Sequence, residues 1–400
     1  MTISLDHHST TPTAPEVIAA MEPYWREIPW NAHSPHAGGA RAEAAVCRAR
    51  AAVAALVGAE PAEIVFTSGA TEANNLALLG LGAAARRELP GRVRILTSAI
   101  EHKCVLEAAR HLARQGFMHE LIPVTAGGVV DLDRLEAMLG PDVLLVAVMA
   151  ASNELGTIQP LEEVAALAHA AGALCHVDAA QAAGRVPLDL VEAECDTASL
   201  SAHKMYGPMG VGALYVSAAS PLRPAPLFFG GGQEQGLRPG TLPVPLLVGF
   251  GRAAELAMRE RRRGDALREL ASLFLAELRR RGVAAVVNGD SARRLPGSLN
   301  FLVPGVDAEA VVARLGDRLH LSTGSACQSG ELQGSHVLRA LGLTPTQVSA
   351  SFRLCFGREH GEEHAREAAK LLAEEVSPCD SAAGRFVQRR GHGHGNVRIG

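Results

Sequence analysis

Lysine is scarce in this chain of 400 residues. Lysine and arginine together number 38, yet only Lys103, Lys204 and Lys370 are lysines. Arginine cannot lose its proton in a protein, whereas a desolvated lysine amine can become neutral and attack a carbonyl group. Lys204 lies in a turn broken by glycine and proline, SAHKMYGP, between two apolar runs. The pattern makes Lys204 a candidate nucleophile, and a surface lysine without a special role remains the alternative.

Long apolar runs and basic blocks are also missing. No stretch reaches the roughly 18–20 apolar residues of a membrane span, and the N-terminus, MTISLDHHSTTP, is unlike a signal peptide. The net charge is −4, which disfavours nucleic acid as a partner. We therefore expect a soluble cytoplasmic protein that binds neither nucleic acid nor membrane.

The seven cysteines include no C-x-x-C pair. An odd number of scattered cysteines argues against a disulfide framework and against a zinc site, so we expect no bound metal. Two histidines of the tail, His392 and His394, could bind stray metal, but a low-complexity tail is the simpler interpretation.

Apolar strands alternate with helices over the first 220 residues. With 48% hydrophobic and 20% charged residues, the chain is typical of well-packed globular proteins. Continuous apolar strands separated by long helices predict a largely parallel sheet that binds its ligand at the strand C-termini. Beyond the connector at 230–243 the pattern predicts a smaller α+β unit. We expect a large domain at 13–250, a small one at 1–12 and 251–378, and a disordered tail at 379–400.

Three segments at predicted strand ends fit one ligand. In TSGATEANN, at 67–75, a glycine turn opens a helix whose free amides suit a phosphate, although a plain N-cap is the alternative. In HVDAAQ, Asp178 ends a buried strand and either caps a helix or, if the ligand is a pyridine ring, keeps the ring nitrogen protonated, with Gln181 on the same side. A phosphate cradle, a carboxylate and the rare Lys204 are the parts of a pyridoxal phosphate site.

Cys327 differs from most of the other cysteines because it lies in a loop of small and polar residues, TGSACQSGELQ. A thiol on a glycine-hinged loop is placed to attack a substrate and then to present the product. An incidental loop cysteine remains the alternative. The predicted catalytic loop spans 322–334.

Ordered motifs along nearly the whole chain resemble one family. They are LDHHSTTP, NAHSPHAGG, EIVFTSGATEANN, EHK, SNELG, HVDAAQ, SAHKMYGPMGVGALYV, GGGQEQGLRPGT, TGSAC and VLRALG. Together they resemble the cysteine desulfurases of the NifS/IscS type, which belong to the class V, fold type I pyridoxal phosphate enzymes. The resemblance implies a mainly parallel seven-stranded sheet in the large domain and a homodimer.

The resemblance also implies roles for single residues. Lys204 would bind the cofactor covalently, Asp178 would pair with its ring nitrogen, and His102 would stack on the ring and move protons. Further implied cofactor contacts are Ala70, Thr71, Asn153, Gln181, Ser201 and His203, with Thr241 reaching the phosphate from the partner subunit. Asn31, Asn153 and Arg353 would bind the substrate. Without the resemblance, His102 would be an ordinary helix N-terminal histidine, and a structural arginine in a strand is the alternative for Arg353.

The implied activity is removal of sulfur from L-cysteine, giving L-alanine and a persulfide on Cys327 that passes to an acceptor protein. A selenocysteine lyase, or an aminotransferase-like enzyme without persulfide chemistry, is the alternative. Eight residues separate Cys327 from His336, which resembles the long-loop group. The chain departs from the family at Ala32 and Ser152, and no recognisable C-terminal extension for an iron–sulfur scaffold follows Val376.

Overall fold

A computed structural model describes residues 2–260, 263–323 and 334–376. Its strands are β1 (Ile3–Ser4), β2 (Ile64–Thr67), β3 (Arg94–Ser98), β4 (Met118–Ile122), β5 (Val143–Ala147), β6 (Leu174–Asp178), β7 (Thr197–Ser201), β8 (Gly212–Val216), β9 (Val286–Val287), β10 (Ser298–Leu302), β11 (Leu319–His320), β12 (Ser322–Thr323) and β13 (Ser351–Cys355). Its helices are α1 (Pro15–Arg26), α2 (Ala37–Leu56), α3 (Ala70–Glu88), α4 (Lys103–Arg114), α5 (Leu132–Met138), α6 (Leu161–Ala170), α7 (Val244–Glu260), α8 (Gly264–Arg280), α9 (Ala308–Leu315), α10 (His336–Ala340), α11 (Pro345–Ser349) and α12 (Glu362–Val376).

The larger sheet has seven strands in the order β2-β8-β7-β6-β5-β3-β4. Strand β8 runs antiparallel to both of its neighbours, and the other neighbouring pairs are parallel. The predicted seven-stranded, mainly parallel sheet is therefore confirmed. The reversed strand follows from chain length, because β7 and β8 are joined by a short connection that is too short for the crossover that a parallel pair needs.

Helices cover both faces of this sheet because successive strand residues point to opposite sides. In β2, Ile64 and Phe66 join the core formed with α1, α2 and α7, whereas Val65 joins the core formed with α3 and α4. Strand β5 is buried at every position and fits the middle of the sheet. Strand β4 has exposed positions, as expected at an edge. The burial on two faces leaves the strand ends as the open part of the sheet.

The smaller sheet has the order β12-β13-β10-β9 and its own core. Buried aromatic side chains of α8, β10 and β13 contact one another in that core, with Phe301 stacked on Phe352 at 5.5 Å between ring centroids. The N-terminal strand β1 pairs with β11, so the start of the chain lies beside the smaller sheet. The domain boundary predicted at 250 falls inside α7, whose residues as far as Leu256 pack in the larger core.

Two predicted features lie outside the described residues. These are Cys327, with most of the predicted loop at 322–334, and the tail at 379–400. None of the described helices is both long enough and apolar enough to cross a lipid bilayer.

Candidate functional site

A cavity of about 420 Å³ opens where the strands of the larger sheet end. The C-terminal ends of β2, β6 and β7 and the N-termini of α3 and α4 contribute to its wall, as expected for a ligand site of a parallel sheet. Ten of the predicted site residues line it: Ala70, Thr71, His102, Asn153, Asp178, Gln181, Ser201, His203, Lys204 and Arg353. The fold thus brings together residues that are up to 283 positions apart in the chain.

The N-terminus of α3 forms one end of the cavity. Between β2 and α3, Gly69 has a φ of +151°, a conformation that favours glycine. The first helical hydrogen bond is donated by Ala73 N–H to Gly69 O at 3.1 Å, which leaves the earlier amides without an acceptor inside the helix. A Cβ on Gly69 would meet no atom within 4 Å. Free amides, the Thr71 hydroxyl and open space suit a phosphate group.

An ion pair holds this turn in place. Arg238 donates to Glu72 through Nε at 2.7 Å and through Nη2 at 3.2 Å, and Ser68 N–H donates to the same carboxylate at 2.8 Å. Burial tends to raise the pKa of Glu72, but these hydrogen bonds outweigh it and lower that pKa. These bonds fix the connector at 230–243 to the turn between β2 and α3, whose free amides suit a phosphate.

Asp178 ends β6 and lies at the middle of the cavity, 7% exposed. Its Oδ2 accepts a hydrogen bond from Asn74 Nδ2 at 2.8 Å, and its Oδ1 accepts one from Ala180 N–H at 3.0 Å. Asn74 is in turn bonded through Oδ1 to His176 Nε2 at 2.8 Å. Burial lowers the pKa of His176 to about 4, so this histidine is neutral and adds no positive charge beside the carboxylate.

Lys204 lies in a 3-10 turn directly after β7. Its Nζ donates to the carbonyl oxygens of His8 at 2.7 Å and Ser9 at 2.6 Å. His8 Nδ1 is 3.0 Å from Gln181 Oε1, and Gln181 Nε2 donates back to His8 O at 2.9 Å. The N-terminal segment therefore positions both Lys204 and Gln181. Burial, and then the Lys204 charge, lower the pKa of His203 to about 4.

His102 is the N-cap of α4, and its Nδ1 accepts the Cys104 backbone N–H at 3.2 Å. Burial lowers the pKa of His102; Asp178 opposes this effect, whereas Lys204 and Lys103 add to it. Beside it, burial and the Asp178 carboxylate raise the pKa of Glu101 well above its ordinary range. Burial thus favours the uncharged form of both side chains at this side of the cavity.

Arg353 in β13 reaches the cavity from the smaller sheet and is 3% exposed. Its Nη2 donates to Asp6 Oδ1 at 2.9 Å and to Ser322 Oγ at 3.1 Å, and its Nη1 donates to Asn153 O at 3.3 Å. Its buried Nε has no hydrogen-bond partner among the described residues. The guanidinium is therefore held in a fixed orientation, with donor capacity left for an anion.

Two predicted site residues do not line this cavity. Asn31 is exposed and accepts the His33 backbone N–H at 3.0 Å within its own turn. Thr241 is exposed in the connector. The placement of Thr241 is consistent with the predicted role at a partner subunit's site, which stays a prediction, as does the role of Cys327.

Sequence reasoning missed several residues around the cavity. They include Asn74, within the motif TSGATEANN, and Cys104, directly after the motif EHK. Glu101 directly precedes His102 in the sequence, and His8 contacts Gln181. Their contacts join segments far apart in the chain, which no local pattern reveals.

The donor set of the cavity fits pyridoxal phosphate. One end offers helix amides and hydroxyls to an anion, the middle offers the Asp178 carboxylate to a protonated ring nitrogen, and Lys204 offers an amine to an aldehyde. The groups that donate hydrogen bonds to Asp178 are an amide and a backbone N–H, which carry no charge. The negative charge of the carboxylate therefore remains to pair with a protonated ring nitrogen. The three groups line one cavity, as the cofactor requires.

Comparisons with known proteins agree with this chemistry. The aminotransferase class-V family model matches residues 3–363. The cysteine desulfurase IscS of Rickettsia bellii is 41% identical over 377 residues, which is 94% of this chain and 91% of that protein. A solved NifS-like protein has a TM-score of 0.87 at 35% identity, covering 94% of this chain and 100% of its own. The solved structure of SspA in complex with cysteine has a TM-score of 0.77 at 33% identity, covering 89% and 99%.

These matches cover most of the chain and include both sheets. They confirm the resemblance drawn from the ordered motifs and the fold type I architecture of the pyridoxal phosphate enzymes. The chain belongs to the aminotransferase class-V family.

Proposed function

We propose that the chain is an L-cysteine desulfurase that uses pyridoxal phosphate. The observation that carries this proposal is the single cavity lined by Lys204, Asp178 and the N-terminus of α3, with Arg353 at its edge. Cysteine desulfurases that are about 40% identical over 94% of the chain support the reaction. A structural neighbour in complex with cysteine supports the substrate.

The described residues suggest how the cofactor is held. Ala70, Thr71, Ser201 and His203 would bind its phosphate, and Asp178 would keep its ring nitrogen protonated. Gln181, fixed by His8, would contact the ring hydroxyl, and Lys204 would form the covalent link. When bound, pyridoxal phosphate withdraws electrons from the substrate Cα.

Side chains of the chain would bind the substrate and move its protons. The Arg353 guanidinium, with Asn153 beside it, would bind the carboxylate of L-cysteine. Lys204 Nζ would take the proton from Cα, and His102 would exchange a proton with the substrate. Asn31 is kept as a weaker candidate for substrate contact because it lies in an exposed turn outside the cavity.

The sulfur would pass to Cys327. Its thiolate attacks the substrate sulfur, the C–S bond of the substrate breaks, and a proton adds to the carbon that loses sulfur. The products are L-alanine and a persulfide on Cys327, so one thiol and one cysteine give one persulfide and one alanine. The persulfide would then pass to a sulfur-acceptor protein. This chemistry needs a reducing compartment, which favours the cytoplasm.

A homodimer would complete the site. Phe228 and Phe229, directly before the connector that carries Thr241, are both exposed, the latter 88% exposed. Large exposed aromatic side chains are typical of interfaces. We infer that this connector packs on a second copy and brings Thr241 to the partner subunit's phosphate. The large unit at 13–250 would carry the cofactor, and the small unit at 1–12 and 251–378 would carry Cys327.

The test measures L-alanine formed from L-cysteine by the purified protein with pyridoxal phosphate and a reductant. The wild type should produce alanine and protein-bound persulfide in equal amounts before reductant is added. Lys204→Ala and Cys327→Ala should each lose this turnover, whereas Cys47→Ala, at an exposed cysteine outside the cavity, should retain it.

Other outcomes identify the alternatives. Cysteine turnover retained in Cys327→Ala would overturn the persulfide mechanism. Turnover of selenocysteine without turnover of cysteine would identify a selenocysteine lyase. Formation of 3-mercaptopyruvate, the keto acid of cysteine, in place of alanine would indicate aminotransferase-like chemistry.

A further inference from the structure

A chain of buried hydrogen bonds leads from β7 to the cavity. Thr197 Oγ1 is 2.8 Å from His176 Nδ1, and His176 Nε2 is 2.8 Å from Asn74 Oδ1. Asn74 Nδ2 donates to Asp178 Oδ2 at 2.8 Å and to Cys104 Sγ at 3.1 Å. Cys104 Sγ is 2.9 Å from His102 Nδ1. Thr197, His176 and Asn74 are each fully buried, so water does not compete for the bonds among them, whereas Cys104 and His102 are half-buried at the cavity wall.

The direction of each hydrogen bond follows from the chemistry of its partners. An amide oxygen can only accept, so His176 Nε2 carries the proton and His176 Nδ1 accepts from the Thr197 hydroxyl. Both protons of the Asn74 amide are then used, one toward the Asp178 carboxylate and one toward the Cys104 sulfur. The sulfur accepts from Asn74, and its own proton is left for His102 Nδ1. Every proton in this series of hydrogen bonds, from Thr197 to His102, therefore points toward the cavity.

His102 Nδ1 receives two donors in this arrangement. The Cys104 backbone N–H donates to it at 3.2 Å, and the Cys104 thiol lies at 2.9 Å. A ring nitrogen that accepts hydrogen bonds carries no proton, so the proton of the neutral ring lies on Nε2. His102 lines the cavity, and Nε2 is the nitrogen that these contacts leave available.

We propose that Cys104, oriented by Asn74, is a positioning residue that keeps His102 in the tautomer with its proton on Nε2, so that His102 enters the reaction as a neutral ring that donates a hydrogen bond through Nε2. This inference rests on the proposed function only where it gives the Nε2 proton a part in the reaction. The tautomer of His102 is set by the protein alone and does not depend on the reaction.

Cys104 is not suited to the other role that a thiol in this cavity suggests, a second sulfur acceptor. Burial and the Asp178 carboxylate raise the pKa of Cys104 to about 12, against hydrogen bonds from Asn74 and Thr71. The thiolate is the nucleophilic form, and at neutral pH this thiol stays protonated. A protonated thiol is the form that can donate to His102.

Charged groups from three elements face His102. The Asp178 carboxylate at the end of β6 raises the pKa of His102, whereas Lys204 after β7 and Lys103 in α4 lower it, and burial lowers it most. Glu101 precedes it in the chain, and burial and the Asp178 carboxylate raise the pKa of Glu101. The Cys104 donor adds to the groups that favour the neutral ring, because protonation at Nδ1 would break its hydrogen bond.

The direct test is nitrogen NMR of cofactor-free protein with 15N-labelled histidine, in which the signals of His102 are assigned by their loss in His102→Gln. The wild type should show the neutral ring with its proton on Nε2. Cys104→Ala removes one donor to Nδ1, so the pKa of His102 should rise by about half a unit to one unit. Cys104→Ser keeps a donor and should restore the wild-type value. Cys47→Ala, at an exposed cysteine outside the cavity, is the matched control.

The holoenzyme supplies a second measurement, the pH dependence of kcat/KM for L-cysteine. Its acid limb should move to higher pH by the same amount in Cys104→Ala and return in Cys104→Ser. A proton on Nδ1 of the wild-type ring, or an unchanged pKa of His102 in Cys104→Ala, would overturn the proposal. Because the NMR result needs neither cofactor nor turnover, a failure of the desulfurase assignment would leave it intact and would be recognised separately.

Discussion

Glu154 should make the stability of the protein depend on pH. Its carboxyl is 6% exposed, and its Oε2 accepts a hydrogen bond from the Ser335 hydroxyl at 2.5 Å. Ser335 is also the N-cap of α10, where its Oγ accepts a hydrogen bond from Leu338 N–H at 3.1 Å. Burial raises the pKa of Glu154 to about 7, against the hydrogen bond from Ser335 and the charges of Arg353 and Lys103.

The magnitude follows from linkage between protonation and folding. Below pH 4.5 the carboxyl is protonated in both folded and unfolded chains, and its titration does not affect stability. Between pH 4.5 and about 7 the unfolded chain releases this proton and the folded chain keeps it, so the free energy of unfolding falls as the pH rises. The interval is about 2.5 pH units at about 1.4 kcal/mol each, or about 3 kcal/mol in all. Above pH 7 the contribution is constant.

The substitution Glu154→Gln removes the titration and keeps an oxygen that can accept from Ser335. Urea unfolding of the wild type and the variant, measured from pH 4.5 to pH 8 with the same cofactor content, gives the comparison. The variant should gain about 3 kcal/mol relative to the wild type between the two ends of this range. Glu107→Gln, on the exposed surface of α4, controls for the substitution itself. A difference between Glu154→Gln and the wild type that does not change with pH would refute the reasoning.

Two further predictions concern the cavity and its connector. Arg353→Lys should raise KM for L-cysteine about tenfold or more with a smaller change in kcat, because a single ammonium cannot replace the two parallel donors of the fixed guanidinium. Arg366→Lys, on the exposed face of α12, is the control. An unchanged KM in Arg353→Lys would contradict the proposed binding of the substrate carboxylate by Arg353. Glu234→Ala should lower the free energy of unfolding, measured in urea, by about 3 kcal/mol, because it leaves Arg50 and the Phe66 N–H without their buried acceptor. A loss under 1 kcal/mol would show that the ion pair between Arg50 and Glu234 is dispensable.

The local motifs predicted the parts of the site that depend on short stretches of chain. The order strand, glycine, helix in EIVFTSGATEANN placed free amides at the start of α3, and the apolar run before Asp178 placed its carboxylate at a strand end. Such features need only neighbouring residues, because the helix end and the strand end are formed locally. The mainly parallel sheet followed from the alternation of strands and helices.

Contacts between distant segments were not predictable in this way. Nothing near Lys204 in the sequence indicates that the carbonyl oxygens of His8 and Ser9 hold its amine. The same is true of Glu154 and Ser335, which meet across 181 residues. These pairs depend on how the smaller sheet packs against the larger one, and side-chain pairing across such an interface leaves no periodic pattern in either segment.

The sequence by itself therefore determined the chemistry that the chain carries: a rare lysine, a carboxylate at a strand end, a phosphate-type turn and a loop cysteine, all in a recognisable order. The tertiary structure alone decided how those groups are protonated and aimed. Asn74, Cys104 and His176 come from three elements, and their hydrogen bonds have a direction only when the elements are packed together. The physical reason is that burial removes water as a competing partner, so each polar atom must be satisfied by whichever residue the fold brings beside it.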